Sequence, residues 1–276
     1  MKKILLFAAA MMLAVSFNAC TNEDNGDNDG NNVENDGDNN GGNNNNGDNG
    51  DNTGANPDVA LVRKIVEIHS DGEFYSYDFD DLKYDSQNRI IKYGSNTLVY
   101  EGNKMNFGEN YETDFIGELN ADGSIATMTA TDSDQYLMTN TYDNGYLIKS
   151  VEKYSDFTAT FTYDWQNGNI ATLTTEEDID EEKWVWKYKF TYGTFDNPPI
   201  NLNISYITLD GCKPWFGLLG FHGRQNAKLP IRIEQEEYST IILSYELSYE
   251  FNDDGTVSKI IAHFDDDYEI VYELYY

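Results

Sequence analysis

Apolar and polar residues alternate with a period of two through most of Val59–Tyr276, and that rhythm restricts the chain to β-strands with one dry and one wet face. Trp184, Trp186, Tyr188, Phe190 and Tyr192 share one face, and Lys183, Val185, Lys187, Lys189 and Thr191 share the other. Ile241, Leu243, Tyr245, Leu247, Tyr249 and Phe251 stand opposite Ser244, Glu246, Ser248 and Glu250 in the same way. A last segment puts Tyr268, Ile270, Tyr272, Leu274 and Tyr276 on one side.

The breaks between these runs repeat. Tyr84–Ile90, Tyr142–Leu147, Tyr163–Ile170 and Phe251–Val257 each close a strand on an aromatic residue, pass through Asn, Asp or Gly, and restart on an aliphatic one. Asn and Gly tolerate the positive φ that tight hairpins require. Gly102, Gly123, Gly145 and Gly168 are 21, 22 and 23 residues apart, so a hairpin of about 22 residues is the repeating unit. The pattern predicts an all-β fold: a long antiparallel meander of ten or more strands, coiled into a curved sheet or a partly closed barrel. The apolar face of so wide a sheet has to be covered. Gly211–Gly223 breaks the alternation, is rich in Gly and aromatics, and leads to Leu229-Pro230. It is the predicted cover, a short inserted helix or plug near residues 211–230 on the concave face.

The first 58 residues have a different character. Lys2 and Lys3 precede the uncharged apolar run Ile4–Val15, which has the length of a signal-peptide core and is too short to span a bilayer. Phe17-Asn18-Ala19-Cys20 resembles a lipobox, giving a signal peptide over residues 1–19 and a lipidated Cys20 as mature N-terminus, although Phe17 and Asn18 depart from the commonest consensus. Acyl chains at Cys20 would anchor the chain durably without a spanning segment. Residues 20–58 follow as an Asp/Asn/Gly tether with no Lys, Arg or aromatic residue. Such a composition cannot bury enough surface to offset chain entropy, and as coil it spans about 30–35 Å. Asn25, Asp27, Asp29, Gly30 and Asp36 match calcium-loop spacing, but in a tract built of these residues the match is expected by chance.

The domain over residues 59–276 carries 39 of the 49 acidic residues against 16 of the 18 basic ones, about 23 negative charges in excess. That field excludes nucleic acid as a partner. His69, His222 and His263 sit at no metal-ligand spacing, no metal or other cofactor is called for, and Cys212 reads as a buried structural thiol. The sequence has no phosphate loop, no nucleophile elbow and no catalytic residue that can be named, so the reading is non-enzymatic. The carboxylate run Glu176–Glu182 reads as solvated charge at a hairpin tip. Most aromatic residues read as core. Trp165, inside a turn, and Trp215, in the inserted segment, are the candidate ligand contacts.

The Tyr-Asp turns followed by Gly and an aliphatic residue resemble the tyrosine-aspartate repeats of RHS-type proteins. The whole layout, with lipobox, polar tether, repeated hairpins and a late Leu219-Gly220-Phe221-His222-Gly223 segment running to Leu229-Pro230, resembles a Bacteroidota family of uncharacterised lipoproteins with a porin-like β fold. The acidic pair Glu23-Asp24 behind Cys20 resembles a surface-export signal of such lipoproteins. The resemblance implies an outer-membrane, lipid-anchored protein facing the cell exterior, with the periplasmic face as second choice. Its implied partners are the membrane, through the lipid, and a glycan or another envelope protein. Two other readings stay open: an outer-membrane β barrel, suggested by the aromatic C-terminal strand, and a carboxylate-dependent glycoside hydrolase.

Overall fold

In a computed structural model the domain forms the predicted antiparallel meander. The structure describes residues 60–70, 74–75, 81–109, 114–131, 136–179, 182–206, 215–264 and 268–276. The signal peptide, Cys20, the tether with its calcium-type spacing, and Cys212 lie outside them.

Seventeen strands follow one another: β1 (Lys64–His69), β2 (Phe74–Tyr75), β3 (Lys83–Tyr84), β4 (Ile90–Tyr93), β5 (Asn96–Glu101), β6 (Lys104–Glu109), β7 (Phe115–Leu119), β8 (Ile125–Ala130) and β9 (Leu137–Asp143). Then come β10 (Tyr146–Lys153), β11 (Phe157–Gln166), β12 (Asn169–Ile179), β13 (Glu182–Asp196), β14 (Lys228–Glu237), β15 (Thr240–Phe251), β16 (Val257–His263) and β17 (Glu269–Tyr275). From β3 to β17 each strand pairs with the next. β1 then pairs with β17 on one side, Lys64 opposite Tyr275, and with β2 on the other, Glu67 opposite Tyr75. By the alternation of directions β2 and β3 run the same way, as two pieces of one interrupted strand beside β1. There the backbone bond beyond β2 is Leu82 N–H to the Arg63 carbonyl, at 3.0 Å. The sheet is thus a partly closed barrel.

Its sidedness follows from the alternation. Ile65, Met105, Ile125, Met128, Met138, Leu147, Ile170, Leu173, Ile233 and Ile260 point inward and are fully buried. Outward positions carry charge in cross-strand pairs: Lys183 with Glu176 at 3.0 Å, Lys189 with Glu236, and Lys259 with Glu273 at 3.4 Å. Exposed pairs of this kind add little stability each, but they mark the face that meets water. The run Glu176–Glu182 is therefore not a hairpin tip. Glu176–Ile179 belongs to β12 and Glu182 to β13, because Thr174 and Thr175 continue into register with Lys187 and Trp186 and the ladder carries on through the acidic residues.

The recurring aromatic at each strand end has a common task. The Tyr100 hydroxyl donates to the Ile90 carbonyl (2.8 Å), Tyr142 to Ile125 (2.8 Å), Tyr192 to Ile170 (2.9 Å), Tyr249 to Pro230 (2.5 Å) and Tyr276 to Val257 (2.9 Å). Tyr84 makes the same bond to Val62. In each case the ring reaches back to the residue at or near the start of a neighbouring strand, and those restart residues are buried. The repeat in the sequence is thus the repeat of a side-chain tie that fastens one hairpin to the next.

Residues 197–227, between β13 and β14, form the cover. It is longer than predicted, since Ile200, Leu202, Asn203, Ile204 and Tyr206 are buried ahead of the short helix α1 (Trp215–Leu218) and of Leu219, Phe221 and His222. The hairpin turns clasp it through backbone bonds: Ile125 N–H to Phe221 (2.9 Å), Arg224 N–H to Gly145 (2.8 Å) and Ala227 N–H to Gly168 (2.9 Å). Asn201 closes the clasp on the β1 side, accepting from Val62 N–H (2.8 Å) and donating to the Tyr84 hydroxyl (2.7 Å).

His222 makes this plug sensitive to acid. Its ring lies edge-on to Tyr163 on the wall and Tyr206 in the plug, and its Nδ1 has no hydrogen-bond partner among the described residues. Burial pushes its pKa down from 6.5 to about 4. A depressed folded pKa means that the stabilisation is complete above pH 6.5 and drains away as pH falls towards 4, amounting to about 3 kcal/mol. The urea midpoint is expected to fall between pH 7 and pH 4.5, and His222→Leu is expected to flatten that part of the profile. An unchanged slope in the variant would remove His222 as the cause.

Candidate ligand-binding end of the barrel

Alternate connections of a meander lie at opposite ends, so the barrel has two distinct ends. The plug, the tyrosine ties and the turns around Gly102, Gly123, Gly145 and Gly168 occupy one. At the other, inward-facing side chains are only half-buried, and water reaches the interior wall.

Aromatic rings dominate that wall. Tyr93, Phe107, Phe115, Tyr136, Tyr154 and Phe157 run in contact across β4 to β11, with centroids 5.8, 5.8, 5.6, 5.2 and 4.2 Å apart in that order. Among them stands the buried carboxylate of Glu152, which accepts from the Tyr154 hydroxyl at 2.6 Å. Burial, and then the Glu152 charge, push the Tyr136 and Tyr154 hydroxyls far above the usual phenol range. They are therefore neutral donors at any physiological pH. On β1 and next to β17, a second carboxylate group forms: His69 bonds Glu67 through Nε2 and the Tyr268 hydroxyl through Nδ1. Glu67 is buried, and its Oε2 has no partner among the described residues.

Trp184 and Trp186 complete the wall on β13. They lie on the inward face with Tyr188 and Phe190, but where those two are buried, both indoles are half-exposed. The rings are nearly parallel, 16° between planes and 6.3 Å between centroids. Two parallel ring faces flanked by carboxylates suit a ligand with an apolar face and hydroxyl edges, the amphipathic character of a sugar ring.

The two sequence candidates are not brought together. Trp165 is not in a loop: it is the penultimate residue of β11, half-buried against Tyr146 (4.6 Å), and its indole N–H donates to the Leu147 carbonyl at 2.8 Å. It fills a tyrosine's place in the series of hairpin ties, since Trp also offers a flat ring with one donor at its edge. Trp215 opens α1 at the plug end, and its side chain lies outside the described ones. Trp184 and Trp186 were read as core because their alternation is perfect. The clue that separates them is position, next to Glu181-Glu182 at the outset of the strand, where the barrel ends.

An outer-surface cleft of about 440 Å³ lies over β3 to β5, lined by Lys83, Asp85, Arg89 and Lys92. Its cations are already engaged: Arg89 by Asp85 (2.7 Å) and the Tyr100 ring (4.1 Å), Lys92 and Lys83 by Asp81 (2.6 and 3.5 Å). Those pairs hold the short strands together. Among the described residues no group of His, Cys, Asp and Glu is arranged to hold a metal ion, and no helix is long and apolar enough to cross a membrane.

No family model and no curated protein matches the chain. Solved structures do share its fold. A porin-like protein from Bacteroides vulgatus is 16% identical, with 78% of this chain and 98% of that one covered and a TM-score of 0.64. A porin-like protein from Bacteroides uniformis is 15% identical, with 78% and 100% covered and a TM-score of 0.51. At these identities the likeness is one of fold, and the chain has the all-β architecture of these porin-like proteins.

Proposed function

We propose that the chain is a non-enzymatic, lipid-anchored envelope protein that is displayed on the outer membrane and does not span it. Its β barrel captures a saccharide at the end opposite the plug. The observation that carries the reading is the sidedness of the barrel. A spanning barrel needs an apolar outer band, whereas here outward positions hold Lys183, Lys187, Lys189, Glu176, Glu236, Lys259 and Glu273, and the apolar residues fill the inside. The tether and Cys20 would then supply the attachment that the barrel wall does not. The half-exposed Trp184–Trp186 pair supplies the ligand surface.

The porin-like description of the structural neighbours favours a second reading, an outer-membrane barrel. Midplane lysines on the lipid face each cost about 2–4 kcal/mol, which weighs against it.

The test of the first reading is a screen of neutral oligosaccharides by tryptophan fluorescence and calorimetry. At least one class is expected to bind, and Trp184→Ala is expected to weaken it by about tenfold or more, as loss of a central aromatic contact does. Binding that survives Trp184→Ala and Trp186→Ala unchanged would contradict the assignment of this end of the barrel.

A further inference from the structure

We infer that Tyr238, at the tip of the hairpin joining β14 and β15, is a ligand contact that extends the Trp184–Trp186 surface, so that the site takes an extended, uncharged oligosaccharide and not a lone sugar ring. The inference rests on the saccharide reading above. Register places the tip at the right spot: Trp186 pairs with Glu237, so β13 runs on past the end of β14 and Trp184 stands beside the turn. Neighbouring strands lie about 4.8 Å apart, which makes Trp186, Trp184 and Tyr238 successive rings from the interior wall to the lip.

The turn itself departs from the rule the rest of the chain obeys. Tyr238 (φ 46°) and Ser239 (φ 66°) both occupy the left-handed region, as a two-residue hairpin turn demands. Elsewhere among the described residues that conformation falls to Gly or to Asn88, Asn144 and Asn167. For a bulky side chain it costs about 1–2 kcal/mol, and an Asn-Gly pair such as Asn144-Gly145 would remove most of that cost. Tyr238 gains nothing in packing to offset it, for it is 70% exposed, and Ile241 beside it is 51% exposed. Strain held in a side chain that packs on nothing is the signature of a position kept for contact with something else. Asp178, Glu182 and Glu237 surround the lip, a field that turns away uronates, sulfated sugars and other anions.

The test uses the full chain with cellobiose and cellohexaose as probes, followed by the malto- and xylo- series of the same two lengths. Tyr238→Asn is expected to raise the melting temperature by a few degrees, about 2–4 °C per kcal/mol of strain relieved. The same substitution is expected to weaken the hexasaccharide about tenfold, equivalent to 1.4 kcal/mol, while changing the disaccharide less than about twofold. Equal affinities for both lengths in the variant and the parent, with Trp184→Ala still weakening both, would overturn this inference and leave the site standing. Failure of every probe, or binding indifferent to Trp184→Ala, would overturn the saccharide reading and this inference with it.

Discussion

Gly223→Ala is expected to destabilise the domain more than any other single methyl group, by about 3–5 kcal/mol, or about 10 °C in melting temperature. Gly223 has φ +78°, and a Cβ there would sit 2.5 Å from the Gly145 carbonyl oxygen and 3.2 Å from the Tyr142 ring. The neighbour is backbone, so it cannot swing aside. Arg224 N–H bonds that same carbonyl, and Tyr142 carries the tie to Ile125, so the added methyl prises the plug off the turn that clasps it. Proteolysis within 197–227 should accelerate in the variant, while Gly102→Ala, at φ +63° with nothing within 4 Å, should cost only its backbone strain. Equal melting temperatures for Gly223→Ala and Gly102→Ala would show that the plug is not docked as described.

The second large effect is alkaline unfolding. Burial pushes the hydroxyls of Tyr84 and Tyr142 up to about 12, and those of Tyr100, Tyr192 and Tyr249 higher, because each donates its proton to a carbonyl or sits where a phenolate would be desolvated. A raised folded pKa stabilises fully below the unfolded value near 10 and loses that stabilisation as pH climbs through the folded value. For Tyr84 and Tyr142 the loss is about 3 kcal/mol each by pH 12. Because the ties are spread round one end of the barrel, the domain is expected to unfold cooperatively between pH 10 and 12, followed by far-UV circular dichroism alongside phenolate absorbance. Tyr142→Phe should cost about 1 kcal/mol at pH 7 and make the alkaline transition shallower. Phenolate titration near pH 10 with the β signal intact would contradict the ties.

Much of the architecture was readable in the residues. Strand faces followed from alternation, as at Tyr188 and Phe190, and the turns from Asn144-Gly145 and Asn167-Gly168, whose φ values are positive. The inserted cover was visible from Gly211 onward because it breaks the rhythm. Its first half was not, since Ile200-Asn201-Leu202-Asn203-Ile204 alternates like a strand yet packs inside the barrel. Period two says that a segment has two faces and not which neighbour it meets. The function of the strand-end tyrosines was hidden for a related reason: their ring burial was foreseeable, but the acceptor carbonyl lies on another strand and only pairing register supplies it. The same loss of long-range information misplaced the ligand candidates. Trp165 stood out beside Asn167-Gly168 but spends its only donor on Leu147, whereas Trp184 and Trp186 looked like core and lie where the barrel ends.

The most direct measurement is the behaviour of residues 59–276 in detergent-free buffer, by sedimentation velocity with a parallel liposome flotation assay. A charged outer wall around an apolar, plugged interior should give a monodisperse, β-rich particle that stays out of the lipid fraction. Aggregation relieved only by detergent, or flotation with liposomes, would contradict the central claim that this barrel keeps its apolar face inside.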